Sequence, residues 1–157
     1  MKFNIEQPPQ GARKQDTSTT EQLAVSIVDG LKYGGLDKVV EILGSLNTEK
    51  LEEILQLPGV RRSLETTIIS GLKYNGLDKV LKIIKAMGHN DIKQIIKTKD
   101  VRQELEGFII SSFRYGGTDN AVRIITLLDP ELAKKIVTLP QVERAKNVSE
   151  LFDRLTS

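Results

Sequence analysis

Apolar residues recur along this chain at the spacing of a helical face. Near the start, Leu23, Ile27, Val28 and Leu31 stand at i, i+4, i+5 and i+8. An α-helix turns once every 3.6 residues, so these four side chains share one face. The pattern predicts an amphipathic α-helix over residues 22–33.

Two more apolar stripes follow and predict two more helices, over residues 36–46 and 48–57. Their members are Val39, Val40, Leu43 and Leu46, then Leu51, Ile54 and Leu55. We expect the third helix to end near Leu57 and Pro58, because proline cannot continue a helix, and Val60 to pin the link to the next unit. The three stripes together predict a unit of three helices.

The whole unit returns twice, at steps of 41 residues with no insertion. The segment GLKYGGLDK at residues 30–38 becomes GLKYNGLDK at residues 71–79 and SFRYGGTDN at residues 112–120. A helical repeat of this length stacks on its neighbours to bury its apolar faces. The predicted fold is all-α, a right-handed α-solenoid of three repeats over residues 22–62, 63–103 and 104–144.

The two ends of the chain depart from the repeat. Residues 1–20 are polar and rich in proline, which predicts a flexible tail ahead of a single domain over residues 21–157. Residues 145–157 predict a capping helix that buries a new stripe on the third repeat. The members of that stripe are Val148, Leu151, Phe152 and Leu155.

Recurrent polar residues and glycines mark the helix boundaries. The first helix of each unit ends in tyrosine followed by Gly-Gly or Asn-Gly, which suits the left-handed conformation that closes helices. Asp37, Asp78 and Asp119 open the second helix, at or beside its N-cap. Asn47, Gly88 and Asp129 share the next boundary, where the third helix is predicted to start, and Pro130 suits its first position.

Composition and charge narrow the range of possible functions. The chain has 157 residues, no cysteine and a net charge of +2. It has no apolar run long enough for a membrane span and no signal-peptide core, so we expect a cytoplasmic protein with no membrane partner. No metal, nucleotide or nucleophile motif is present, and the one histidine, His89, suits an exposed position. We therefore expect no enzyme and no cofactor.

The sharper binding candidate is a row of tyrosines with neighbouring cations. All three tyrosines of the chain occupy one repeat position, and each follows a lysine or arginine. The pairs are Lys32 and Tyr33, Lys73 and Tyr74, and Arg114 and Tyr115. Such a row suits bases, an extended peptide or acidic side chains. The structural alternative is that each tyrosine packs over the corner between two helices.

The middle repeat supplies the second binding candidate. It carries 8 basic and 4 acidic residues, whereas each neighbouring repeat carries 5 and 6. Five of its lysines follow helical spacing in two groups. Lys79, Lys82 and Lys85 stand along one side of the second helix, and Lys93 and Lys97 stand along one side of the third. They form either a solvated face or a patch for an acidic protein or a phosphate backbone.

In length and helix pattern, residues 22–144 resemble armadillo and HEAT-type repeats, which implies a binding scaffold with a concave surface. A looser likeness joins residues 68–79 (IISGLKYNGLDK) to the DNA-reading repeats of TAL effectors, which place Gly-Gly between two helices. This chain differs from those repeats in its period, its third helix and its aspartate at the corner.

These observations favour a non-enzymatic protein-binding module or adaptor whose partner has an acidic surface. Nucleic-acid binding through the tyrosine row is the alternative, and a bacterial secreted effector or its scaffold is a further one. Ala24 and Val25 make the outer face of the first unit more apolar than its counterparts. Either the N-terminal tail or a second copy of the protein is expected to cover that face, and the second alternative is a homodimer through the N-terminal end of the solenoid.

Overall fold

The computed structural model describes the backbone of residues 11–156, and the side chains of residues 20–147, Glu150 and Leu155. This part of the chain is all-α, with ten helices and no strand. The helices are α1 (Gly11–Tyr33), α2 (Leu36–Ser45), α3 (Thr48–Leu55), α4 (Pro58–Lys73), α5 (Leu77–Met87), α6 (His89–Ile96), α7 (Lys99–Arg114), α8 (Thr118–Ile125), α9 (Pro130–Val137) and α10 (Pro140–Thr156). The chain divides into two compact units, Met1–Ser63 and Leu64–Ser157.

In the first unit, α1 packs against α2 and α3. The apolar faces of the three helices form its core, and several of these side chains are nearly inaccessible to solvent. They include Ile27, Val39, Leu43, Ile54 and Leu55. Short helices are only marginally stable in water alone, and burial of such side chains supplies most of their stability in a protein.

In the second unit, α7 is the central element among the described residues. It packs against α6, α8 and α10, while α5 packs against α6 and α8. The core residues come from all these helices and include Ile83, Ile95, Leu105, Ile109 and Ile136. Leu105 and Ile109 lie one helical turn apart on α7, which places them on the face that the pattern predicted.

The first helix of each 41-residue repeat begins earlier than predicted, and so does the C-terminal helix. Helix α4 starts at Pro58 and α10 at Pro140, so these prolines open a helix instead of only ending the one before it. Proline suits the first helical position, where the N–H has no partner within the helix. Val60, Val101 and Val142 therefore lie buried in the first turns of α4, α7 and α10, not in a link.

Helix α1 likewise begins early, at Gly11, so residues 11–20 of the predicted tail are helical in this structure. The remainder of the predicted tail, residues 1–10, lies outside the described residues. Helix α10 covers the predicted cap and starts at Pro140 instead of near 145. None of the helices in the described part is long and apolar enough to cross a membrane.

Side-chain caps precede α3 and α9, whereas the aspartates predicted at or beside the N-cap of the second helices lie two residues after it. Asn47 accepts a hydrogen bond from the Lys50 N–H at 2.8 Å, and Asp129 accepts one from the Leu132 N–H at 3.2 Å. Helix α5, by contrast, is capped by Gly76 with no side-chain hydrogen bond. The aspartates of the second helices stand inside the first turn, where they interact favourably with the helix dipole.

Most of the predicted core positions are buried or partly buried, with two clear exceptions. Val122 is largely exposed on α8, and Leu155 is 76% exposed on α10, so its predicted burial is wrong. The other predicted cap residues, Val148, Leu151 and Phe152, have side chains outside the described part. Sequence analysis missed five buried apolar residues, Ile42, Ile83, Ile124, Leu132 and Ala145.

Candidate functional site

Each tyrosine of the row ends a helix that is closed by the same backbone motif. The Gly35 N–H donates to the Gly30 carbonyl at 2.7 Å, and the Gly76 N–H donates to the Gly71 carbonyl at 2.7 Å. In the third copy the Gly117 N–H donates to the Ser112 carbonyl at 2.6 Å. A bond of this span, from the second residue after the tyrosine back to the last turn of the helix, is the Schellman motif.

The residue after each tyrosine has a left-handed backbone, as this motif requires. Gly34 has φ of 86°, Asn75 of 72° and Gly116 of 88°. Glycine adopts this region without a steric penalty, and asparagine is among the few other residues that tolerate it. The left-handed turn explains the first residue of each GG or NG pair. The second is a glycine because an added Cβ at Gly35 would lie 3.2 Å from the Gly30 Cα, and one at Gly76 would lie 3.0 Å from the Gly71 Cα.

The backbones of the first and second helices approach each other closely at the corner. A Cβ atom added to Gly30 would lie 2.4 Å from Val39 Cγ2, and one added to Gly71 would lie 2.5 Å from Val80 Cγ2. In the third copy serine replaces the glycine at position 112, and alanine replaces the valine at position 121. A larger residue on one helix is thus matched by a smaller one on the other.

The tyrosine side chains contribute little to this packing. Tyr33 is 74% exposed, Tyr74 is 76% exposed and Tyr115 is 77% exposed. The turn and the glycine contact use the backbone and the neighbouring residues, and most of each ring faces solvent. The corner geometry therefore gives no packing reason for an aromatic residue at this position.

The cations beside the tyrosines are also exposed, and two of them have identified contacts. Lys32 Nζ lies 5.4 Å from the centre of the Tyr33 ring, within cation–π range. Lys73 Nζ lies 3.6 Å from Glu104 Oε1. We call Lys32, Tyr33, Lys73, Tyr74, Arg114 and Tyr115 the corner row.

The structure divides the five lysines of the middle repeat. Lys82 and Lys85 line a groove beside α8, while Lys93 and Lys97 line a smaller pocket beside α9. Lys93 Nζ lies 3.8 Å from Glu131 Oε1 and 4.0 Å from Asp129 Oδ2, which partly neutralises it. Lys79 is exposed and lines neither site. The two sites follow the division of these lysines between the second and third helices of the repeat, except that Lys79 lines neither.

The groove between α5 and α8 has a volume of about 420 Å³. We call it the basic groove, and its lining residues are Asp78, Leu81, Lys82, Lys85, Arg123, Thr126 and Leu127. Arg123 Nη2 donates to Asp78 Oδ1 at 3.1 Å, which joins the two helices at one end. Sequence analysis did not identify Arg123 as a partner of these lysines. Arg123 lies in another repeat, 41 residues after its counterpart Lys82, and only the packing of α5 against α8 brings the two together.

The described residues contain no group of three or more His, Asp or Glu side chains placed to hold a metal ion. His89 is exposed at the first position of α6. Comparisons with protein-family models, with curated proteins and with solved structures found no match to this chain. The geometry of the corner row and the basic groove is therefore the basis for a functional proposal.

Proposed function

We propose that this protein is a binding module built of helical repeats, and that its corner row contacts an acidic surface on a partner protein. The proposed architecture is a right-handed solenoid of three 41-residue repeats. It is supported by the recurrence of one corner motif at each 41-residue step. In this proposal the chain carries no catalytic site and acts as an adaptor.

The observation that carries the proposal is the exposure of all three tyrosines at one repeat position. Tyrosine and arginine are enriched at protein interfaces, where a rigid ring buries a large area at a small cost in conformational entropy. Replacing an exposed ring with a polar residue changes the stability of the fold little. Its presence in three copies, without a packing role, is better explained by a contact outside the chain.

The charges of the corner row indicate the chemistry of the partner. Each ring stands next to a cation, and Lys32 already lies beside the Tyr33 ring. A carboxylate on a partner can pair with the cation while apolar atoms next to it contact the ring. This combination favours an acidic protein surface that also carries apolar side chains.

Nucleic-acid binding is the second candidate, and the same observation favours it. An exposed aromatic ring beside a cation can stack on a base while the cation meets a phosphate. The two candidates differ in salt dependence, because each phosphate contact releases counterions and makes affinity fall steeply as salt rises. A protein partner held partly by apolar contacts is less sensitive to salt.

The test is site-specific photocrosslinking at the corner row. A photoreactive phenylalanine analogue replaces Tyr74 in the full chain, which is expressed in its native cells and irradiated. The matched control carries the same analogue at Gln103, an exposed position on α7. We expect an adduct from position 74 that is absent from position 103 and that nuclease does not destroy.

Competition by the purified full chain then checks the specificity of that adduct. Unlabelled wild-type protein is expected to suppress it, and a variant with Tyr33, Tyr74 and Tyr115 all changed to Ser is expected not to. An adduct that nuclease destroys would support the nucleic-acid candidate. Equal adducts from both positions, or equal suppression by both competitors, would refute a role for the corner row.

A further inference from the structure

Beyond the corner row, the basic groove has the shape and charge of a second contact surface. On α5, Asp78, Leu81, Lys82 and Lys85 follow at i, i+3, i+4 and i+7, which is one helical face. Arg123 on α8, together with Thr126 and Leu127 in the turn that follows this helix, forms the opposite wall. The groove thus runs along two helices that pack against each other.

The groove has charged walls above an apolar floor. Leu81 is almost fully buried and Leu127 is partly buried, so the leucines form the base between the helices. Lys82, Lys85 and Arg123 stand along the rim, with Asp78 as the one carboxylate in the lining. The lining therefore carries three positive charges against one negative charge.

The two ends of the groove carry different charged side chains. At one end the Asp78 carboxylate pairs with Arg123, and both side chains are exposed. An exposed pair of this kind contributes little to stability, so Arg123 is available to a competing carboxylate at small cost. At the other end lies Lys85, on the last turn of α5, with an exposed side chain.

The groove begins beside one of the corners. Asp78 follows Tyr74 by four residues and stands in the first turn of α5. A partner segment that contacts the second corner can continue along α5 toward Lys85. The seven residues from Asp78 to Lys85 span roughly 10 Å of helix, which an extended peptide covers with about three residues.

We infer that the basic groove binds a short acidic segment of a protein partner, with an aliphatic side chain on the leucine floor and flanking carboxylates at Lys82, Lys85 and Arg123. This inference rests on the proposed protein-binding function and adds the chemistry of the ligand. Charge complementarity selects the carboxylates, and the apolar floor selects the aliphatic residue. A phosphate backbone offers no group for that floor.

The experiment measures the binding of labelled peptides to the full chain by fluorescence anisotropy. The probe peptide carries leucines that are each flanked by glutamates. One control peptide replaces the leucines with serine, and the other replaces the glutamates with glutamine. We expect saturable binding of the probe and weaker binding of both controls, because each control removes one of the two complementary features.

Protein variants then assign the binding to the groove. Lys85→Glu is expected to weaken binding of the probe by roughly tenfold or more, since it replaces an attraction with a repulsion. The matched control is Lys134→Glu, which makes the same change of net charge at an exposed site on α9 outside the groove. Its affinity for the probe is expected to stay within about twofold of wild type.

Several outcomes would overturn this inference. One is that the probe shows no saturable binding, and another is that Lys134→Glu loses as much affinity for the probe as Lys85→Glu. A third is that a single-stranded oligonucleotide binds more tightly than the probe and that Lys85→Glu weakens its binding. The result also separates the two proposals. A crosslink at Tyr74 without peptide binding refutes only the groove, whereas peptide binding without a crosslink refutes only the corner row.

Discussion

At the scale of single residues, the most constrained positions are the small ones at the corners. Gly30 and Gly71 face Val39 and Val80 at distances that leave no room for a Cβ atom. The third copy accommodates a serine because its partner on the second helix is Ala121. Since cores are packed to nearly crystalline density, one extra methyl group on one side requires a smaller residue on the other.

This pairing predicts a specific rescue. Gly71→Ala is expected to destabilise the protein by about 1–3 kcal/mol through overpacking against Val80. Combining it with Val80→Ala is expected to recover part of the loss, as a coupling of about 0.5–3 kcal/mol. Urea denaturation of the two single variants and the double variant measures that coupling.

Gly107 provides the control for this prediction. It lies within α7 with no atom near the place of a Cβ, so Gly107→Ala is expected to stabilise the protein by roughly 1 kcal/mol. The rescue argument fails if the free-energy changes of Gly71→Ala and Val80→Ala simply add. It also fails if Gly107→Ala is as damaging as Gly71→Ala.

At the scale of elements, the helices begin through several different devices. Glycine stands at the N-cap of the second helices, asparagine or aspartate caps α3 and α9, and proline opens α4 and α10. At α3 and α9 the side chain of the cap accepts a hydrogen bond from a backbone N–H of the first turn, which a glycine cap cannot do. The effect of a substitution at a helix start therefore depends on which device that helix uses.

The cap of α3 gives a prediction at this scale. Asn47→Ala removes the acceptor for the Lys50 N–H and is expected to cost about 1 kcal/mol of unfolding free energy. Asn47→Asp restores an oxygen acceptor and is expected to retain wild-type stability or exceed it slightly. Thermal denaturation compares the three proteins, and equal melting temperatures for the alanine and aspartate variants would contradict a capping role.

At the scale of the whole molecule, α10 completes the second compact unit. It packs against α7 and α9 and buries Val142 and Ala145. Its first turn matches α4 and α7 in having a buried valine two residues after the helix start. Lys146, which stands where α4 and α7 have Leu64 and Leu105, is exposed, whereas the neighbouring Ala145 is buried.

Removal of α10 is expected to lower stability and promote association. A chain that ends at Leu139 loses the burial of Val142 and Ala145 and uncovers apolar surface of α7. The loss is expected to amount to a few kcal/mol, about the sum of several core contacts. Thermal denaturation and size-exclusion chromatography measure both effects. An unchanged melting temperature together with a single monomer peak would refute this role for α10.

The sequence by itself determined the helices and the corners of this protein. Helical periodicity and the GG or NG pairs depend on contacts between residues a few positions apart, so a local pattern predicts them. The same locality explains its errors, since Pro58 is compatible both with ending one helix and with opening the next. The positions of the core followed from the stripes, except where a stripe was wider than the pattern suggested, as at Ile83.

Only the tertiary structure decided which side chains meet across the repeats. It showed that Lys85 and Arg123 line one groove, that Lys93 and Lys97 belong to another site, and that the tyrosines are exposed. These relations join residues about 40 positions apart, or depend on how much of a ring its neighbours cover. Packing between helices sets both, and no spacing along the chain encodes the angle or distance at which two helices pack.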